Sequence, residues 1–218
     1  MVASAVVVWP RAMTTGRLEA FSDGVIAIII TIMVLGLRPP EGTDWASLRP
    51  ALSSLLMYVL SFVFLGIYWN NHHHMFQVTD HINGRILWAN LHLLFWLSLV
   101  PFATDWMGHS HFTPLPAAAY GFVLLMSGIA YTILQRSIIA LHGPSSRLLA
   151  AVGQDFKGKL SMALYVAAIP LAFVNRWISY AIYVFVAVMW LAPDPRIEST
   201  LHHQSPDQSG RTTHSDNR

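Results

Sequence analysis

The sequence predicts an all-α membrane protein with six transmembrane helices in each subunit. Of its 218 residues, 54% are hydrophobic and only 11% are charged, whereas a typical soluble domain has about 25% charged residues. Six apolar stretches are long enough, or nearly so, to cross a bilayer, which takes about 20 helical residues. Glycine, proline and asparagine residues separate most of these stretches, as expected for turns between spans.

Turn-forming residues place the limits of the spans. Gly36 marks the end of the first, Asn83-Gly84 precedes the third, and Pro114 and Gly143 bracket the fourth. The third and fourth stretches contain no Asp, Glu, Lys or Arg. The predicted spans are 18–37, 48–69, 86–104, 115–134, 160–174 and 177–192.

The end of the chain leaves one alternative open. Only Asn175 and Arg176 separate the last two stretches, so a single long helix there would give five spans instead of six. Residues 193–218 are polar and have too few large apolar side chains to bury a core, which predicts a disordered tail. The predicted organisation is an N-terminal segment (1–16), a six-helix transmembrane domain (17–192) and this tail.

The distribution of Lys and Arg predicts the orientation, because these residues concentrate in cytoplasmic loops. With six spans and a cytoplasmic N-terminus, three of the 13 lie outside the cell, namely Arg38, Arg49 and Arg176. The other ten lie inside, namely Arg11, Arg17, Arg85, Arg136, Arg147, Lys157, Lys159, Arg196, Arg211 and Arg218. Both termini are therefore expected in the cytoplasm.

The first helix carries an aliphatic stripe with one hydroxyl group. At about 100° per residue, Ile28, Thr31, Ile32 and Leu35 share one face. Asp23 points roughly 140° away from Ile28 on the same helix. Such a stripe has two possible explanations: ordinary packing against other helices, or a specific function.

Asp23 is harder to explain by packing alone. A carboxylate within a membrane segment is costly, and such groups usually face the protein interior and have partners. The candidate partners are Arg17, Ser22 and the histidines at the end of the second helix. The alternative is that Asp23 caps the start of the helix.

Several classes of function are disfavoured. The three adjacent histidines at 72–74 point about 100° apart on a helix, so they do not converge on one metal ion. The net charge of +2 gives no reason to expect nucleic acid as a partner. The enzyme signatures GxSxG and the P-loop, and the TVGYG filter of potassium channels, are absent. We therefore expect no enzyme, no metal and no cofactor.

Three stretches of the sequence resemble the transmembrane protein 175 family of potassium channels. The first, RxxxFSDG, runs from Arg17 through Phe21, Ser22, Asp23 and Gly24. The second and third helices of bacterial members are similar to the stretches "WNNHHHMF" and "LWANLHLLFWLSLVPFAT". The resemblance covers roughly residues 17–192. It implies a single-repeat bacterial member that forms a homotetramer in the cell (inner) membrane, with a fold unlike that of the usual tetrameric potassium channels.

The resemblance also implies site residues. The first helix of each subunit lines a central pore in this family, and the narrowest point is a ring of bulky aliphatic side chains. In this sequence those positions fall on Ile28, Thr31, Ile32 and Leu35. A motif network joins the first helix to the second and third, and its members here are Arg17, Phe21, Ser22, Asp23, His72, His73 and Asn90. His74 extends the histidine pair of the family pattern to three.

These features imply a channel with modest selectivity. A ring of aliphatic side chains offers a permeating ion no ligands and gates by dewetting. Potassium sheds water more easily than sodium and is therefore favoured, without the strong selectivity of a carbonyl filter. The alternative is a proton- or sodium-coupled secondary transporter, since membrane histidines and acids also relay protons.

Overall fold

The protein is an all-helical bundle. The computed structural model describes residues 15–79, 81–143, 148–149 and 155–191, apart from the side chain of Pro50. The helices within these ranges are α1 (Thr15–Leu35), α2 (Trp45–Gln77), α3 (Gly84–Ser98), α4 (Val100–His109), α5 (Pro114–His142), α6 (Phe156–Val174) and α7 (Arg176–Leu191).

Five of the described helices are long and apolar enough to cross a membrane. They are α1, the part of α2 from Ala51 to Gln77, α3 and α4 taken together as Gly84–His109, α5, and α6. The last helix, α7, is apolar but has only 16 residues. All six predicted stretches are therefore helical, and the sixth is short for a span.

The second helix is longer than predicted. It begins at Trp45, where the side chain of Asp44 accepts a hydrogen bond from the backbone N–H of Ser47. The hydroxyl of Ser47, and then this N–H, hold the pKa of the Asp44 carboxyl below its usual range. The helix continues beyond the predicted span to Gln77, and the three histidines lie in its last two turns.

The third span is broken into α3 and α4 at Leu99. Pro101 occupies the first turn of α4, and it has no N–H to donate to the carbonyl of Leu97. A bend at such a position is expected, because the proline ring also interferes with the preceding turn. Both halves of this span pack against α5 and α1, whereas α2 lies mainly against α4.

The last two helices form an antiparallel hairpin and not one long helix. Asn175 has an extended backbone that ends α6. The hydroxyl of Ser179 donates to the carbonyl of Ala168 at 2.7 Å, and the indole of Trp190 donates to the hydroxyl of Ser161 at 2.9 Å. Because the partner numbers fall as the α7 numbers rise, the two helices run in opposite directions.

The predicted terminal segments are largely outside the described residues. The first helix begins at Thr15, so it includes the last two residues of the segment predicted at 1–16. Residues 1–14 and 192–218 are not described. Disorder of the tail at 193–218 therefore stays a prediction.

Helix α1 packs against α2, α3 and α4 through one face. Its buried residues are Leu18, Ser22, Ile26, Ile29 and Met33, at helical spacings of three and four. Helices α2 and α4 approach closely at Gly108, where a Cβ atom would lie 2.8 Å from the Cα atom of Ser54. Such small residues are typical of helix contacts within membranes.

Candidate functional site

The stripe predicted on α1 lies on the exposed face of the subunit. Ile28, Ile32 and Leu35 are 58%, 50% and 79% exposed, and Thr31 is exposed between them. The buried face of α1 is on the other side of the helix. The hydroxyl of Thr31 donates to the carbonyl of Ile28 at 2.9 Å. None of the described helices of the subunit therefore packs over this stripe.

A buried polar chain joins the start of α1 to α2 and α3. The side-chain N–H of Asn90 donates to the hydroxyl of Ser22 at 2.9 Å, and that hydroxyl donates to the carbonyl of Leu18. The Oδ1 atom of Asn90 lies 2.8 Å from Nε2 of His72. Asn90, Ser22 and His72 are all fully buried. We call these three residues the polar chain.

Two further contacts join α1 to α2, and they are four residues apart on both helices. The indole N–H of Trp69 donates to Oδ1 of Asp23 at 3.0 Å, and Nδ1 of His73 lies 2.7 Å from Oε1 of Glu19. Glu19 and Asp23 are four residues apart on α1, and Trp69 and His73 are four residues apart on α2. Because such residues share a helix face, the two acids face the two rings. The rings of Trp69 and His73 are themselves stacked.

The structure distinguishes the three adjacent histidines. His72 belongs to the polar chain, and His73 contacts Glu19 and, through Nε2, the side chain of Gln77 at 2.7 Å. His74 is exposed, and its recorded contact is with the ring of His73. His72 and His73 are therefore the pair that reaches the other helices.

Arg17 and Phe21 are not joined to this network within the described subunit. Arg17 is exposed and has no recorded partner there, and Phe21 is 52% exposed. At about 100° per residue both lie on the same face as Ile28 and Leu35. The two residues thus extend the exposed stripe toward the start of α1.

The expected partners of Asp23 need correction. Neither Arg17 nor a histidine reaches it among the described residues, and its partner is Trp69. Asp23 does not cap the helix either, because α1 begins eight residues earlier, at Thr15. The histidine contact that was expected for Asp23 belongs to Glu19, one turn before it.

The site residues predicted from the sequence did not include Glu19, Gln77 or Trp69. A signal for Glu19 was present, because Glu19 and Asp23 have the spacing of two residues on one helix face. That spacing predicts that both acids meet the same neighbour. Which residues of α2 face the two acids depends on how α1 and α2 are aligned, and no pattern within α1 predicts that alignment.

The described residues contain no group of three or more His, Asp or Glu side chains placed to hold a metal ion. Outside this network, His109 is exposed. His109 is the last residue of α4, and its Nδ1 atom lies 3.0 Å from Oδ1 of Asp105.

Comparisons with known proteins identify related chains. The family model described as endosomal/lysosomal potassium channel TMEM175 matches residues 17–101. A potassium channel of Chryseobacterium sp. (strain P1-3) is 57% identical over 189 residues, which cover 87% of this chain and 98% of the relative. A potassium channel of Streptomyces collinus is 29% identical over 81% of this chain and 91% of the relative.

A solved structure supports the same relationship. The crystal structure of a lysosomal potassium-selective channel TMEM175 homolog from Chamaesiphon minutus is 27% identical, with a TM-score of 0.68. The match covers 81% of this chain and 96% of that chain. The motif residues on α1, α2 and α3 lie within the matched region of the family model. The chain is a multi-pass membrane protein and belongs to the TMEM175 family.

Proposed function

We propose that this protein is the subunit of a potassium channel. The support is its relationship to bacterial proteins named potassium channels, one of them 57% identical over nearly its full length. A channel also suits the site, which offers an exposed helix face and a polar network but no group of metal ligands among the described residues.

The observation that carries the proposal is the unpacked stripe of α1. Helix α1 buries one face against the bundle and leaves Ile28, Thr31, Ile32 and Leu35 exposed. In a tetramer, this face of each subunit would surround a central axis. The aliphatic side chains would then form a constriction that holds little water and closes by dewetting.

Thr31 gives this constriction a modest preference for cations. Its hydroxyl proton is donated to the carbonyl of Ile28, so the lone pairs of the oxygen remain for an ion or its water. An oxygen acceptor stabilises a partly dehydrated cation. Without rings of backbone carbonyls, potassium is preferred over sodium mainly because it loses water more easily, so the selectivity is modest.

The proposed assembly is a homotetramer in the cell membrane of a bacterium. Each subunit contributes six helices, with α7 as the short sixth span, and both termini face the cytoplasm. The excess of Lys and Arg on that side supports this orientation. The partners are then the bilayer, the other subunits and the permeating potassium ions.

The motif network holds α1 in position. The polar chain and the contacts of Asp23 with Trp69 and of Glu19 with His73 bind the start of α1 to the bundle. Arg17 and Phe21, which extend the exposed stripe, would contact neighbouring subunits. This arrangement assigns the buried motif residues to anchoring and the exposed ones to assembly.

Current measurement in planar bilayers distinguishes a channel from a secondary transporter. The pH is equal on both sides, sodium is replaced by a large organic cation, and only potassium has a gradient. A channel carries a current that reverses near the potassium equilibrium potential. The alternative, a proton- or sodium-coupled transporter, carries either no sustained current or a current that reverses well away from the potassium equilibrium potential, and either result would overturn the channel.

Counting the subunits tests the assembly. Native mass measurement of the purified protein in detergent is expected to give four times the chain mass of 24.3 kDa. One copy of α1 cannot enclose a pore, so a stable monomer that still conducts contradicts the proposed constriction.

A further inference from the structure

A second group of buried polar side chains lies beside the far half of α1. Ser61 on α2, Thr104 on α4 and Tyr120 on α5 are each at most 5% exposed. The Oγ atom of Ser61 is 2.7 Å from Oγ1 of Thr104 and 2.9 Å from the hydroxyl oxygen of Tyr120. We call these residues the hydroxyl cluster. It joins three helices within an apolar core.

The hydrogen bonds of the hydroxyl cluster run in one direction. Thr104 donates to the carbonyl of Val100 at 2.7 Å, so it must accept from Ser61. Ser61 has one proton, and it must therefore accept from Tyr120. Each hydroxyl donates once in this arrangement, and the last acceptor is a carbonyl in the first turn of α4. That turn also contains Pro101, at the break between α3 and α4.

The broken span contacts α1 at two levels, one before the proposed constriction and one within it. On α3, Asn90 binds Ser22. On α4, Thr104 lies 4.0 Å from the sulfur of Met33, which is buried on α1. Ser22 and Met33 are eleven residues apart, about 16 Å along the helix, and the aliphatic stripe begins between them. The position of the Thr104–Met33 contact relative to the Asn90–Ser22 contact therefore depends on the angle between α3 and α4.

We propose that Ser61, Thr104 and Tyr120 are positioning residues for α1. By fixing the first turn of α4 after Pro101, the hydroxyl cluster fixes the angle of the broken span and hence the far half of α1. The width of the constriction at Ile32 and Leu35 then depends on residues that never touch the ion. This inference rests on the proposed channel function.

Removal of single hydroxyl groups tests the proposal, and the chain offers a matched control. Ser61→Ala removes a hydroxyl that bonds between helices. Ser127→Ala removes an equally buried hydroxyl that donates to the carbonyl of Val123 on its own helix. At Thr104, valine removes the hydroxyl at similar volume, whereas serine keeps it.

Two measurements on intact tetramers are needed, at a temperature well below unfolding. The first is potassium current per tetramer, together with the ratio of potassium to sodium permeability. The second is the distance between spin labels on Leu35→Cys, which labels one site in each subunit because the sequence has no cysteine. The second measurement does not depend on conduction.

Ser61→Ala and Thr104→Val are expected to change the current by about threefold or more, the factor that corresponds to one interhelical hydrogen bond in a membrane. Both are expected to shift the label distance, whereas Ser127→Ala and Thr104→Ser behave as the unsubstituted protein. If Ser61→Ala does not assemble, Tyr120→Phe serves instead, because it removes only the first donor of the cluster. It is expected to change the current and to shift the label distance as Thr104→Val does.

Equal currents and label distances for Ser61→Ala and Ser127→Ala would overturn the positioning role. A lack of potassium current in the unsubstituted protein would overturn the proposed function instead. In that case the label distances decide the positioning role, since an unchanged distance in Thr104→Val contradicts it.

Discussion

Replacement of Asn90 by leucine tests whether the polar chain holds α1 against the bundle. Asn90 is fully buried and makes hydrogen bonds with His72 at 2.8 Å and with Ser22 at 2.9 Å. Leucine has the same number and branching of side-chain heavy atoms, although it is larger, so the substitution removes both bonds without leaving a cavity. The double variant described below separates the hydrogen-bond contribution from any overpacking.

The expected loss of stability follows from the hydrogen bonds that Ser22 and His72 retain after the substitution. Ser22 keeps its bond to the carbonyl of Leu18. His72 is left with neither ring nitrogen bonded, because its buried Nδ1 atom already has no partner in the described part of the chain. An unsatisfied buried group costs about 1–3 kcal/mol, and an interhelical hydrogen bond in a membrane averages about 0.6 kcal/mol. We expect a loss of about 1–3 kcal/mol of unfolding free energy per subunit.

The assay is thermal unfolding of the purified protein in detergent, followed by tryptophan fluorescence. Asn90→Leu is expected to lower the midpoint by several degrees. The double variant His72→Phe with Asn90→Leu removes both polar partners, and it is expected to be more stable than the sum of the two single losses predicts. A midpoint unchanged by Asn90→Leu, or strictly additive losses, refutes the reasoning.

Three further substitutions test the helix contacts by the same unfolding assay. Glu19→Ala is expected to lower stability more than Arg17→Ala, because Glu19 contacts His73 whereas Arg17 has no partner among the described residues. The reverse order would contradict a stabilising contact between Glu19 and His73. Asp23→Ala is expected to cost only about 0.5–1.5 kcal/mol, the range for one hydrogen bond, and a larger loss would mean that Asp23 has a charged partner. Gly108→Ala is expected to cost about 1–3 kcal/mol through overpacking, whereas Gly66→Ala, with open space around it, is expected to be neutral or stabilising.

The positions of the spans could be predicted because they depend on local composition. Apolar stretches and turn residues predicted six stretches that are helical in the described structure, although α2 extends eight residues beyond its predicted span. The extension carries the histidines, which are polar and therefore gave no hydropathy signal. The break at Leu99 had a local cause in Pro101, but its consequence for packing did not appear in the sequence.

The contacts between helices could be predicted only where a family resemblance supplied them. His72, Ser22 and Asn90 were named together on that basis, and no periodicity within one helix pairs them. Glu19 and the hydroxyl cluster were missed because their partners lie on other helices, at positions fixed by helix register. Serine and threonine within apolar stretches most often bond to their own helix, as Ser127 does, so Ser61 did not stand out.

Residues on the exposed face of α1 test the central claim, and Ile32 and Val34 form the sharpest pair. They are 50% and 45% exposed, so neither supports the core of the subunit, unlike Ile29, which is buried. They differ in depth by about 3 Å and in direction by about 160°. An asparagine at either position therefore places the same amide at nearly the same level of the membrane.

The measurement is the potassium current and the ratio of potassium to sodium permeability for Ile32→Asn and Val34→Asn, on intact tetramers. If α1 lines the pore through its aliphatic stripe, Ile32→Asn wets the constriction, raises the current and lowers the preference for potassium. Val34→Asn leaves both quantities close to those of the unsubstituted protein. Equal effects of the two substitutions, or a change only with Val34→Asn, would contradict a pore lined by Ile28, Thr31, Ile32 and Leu35.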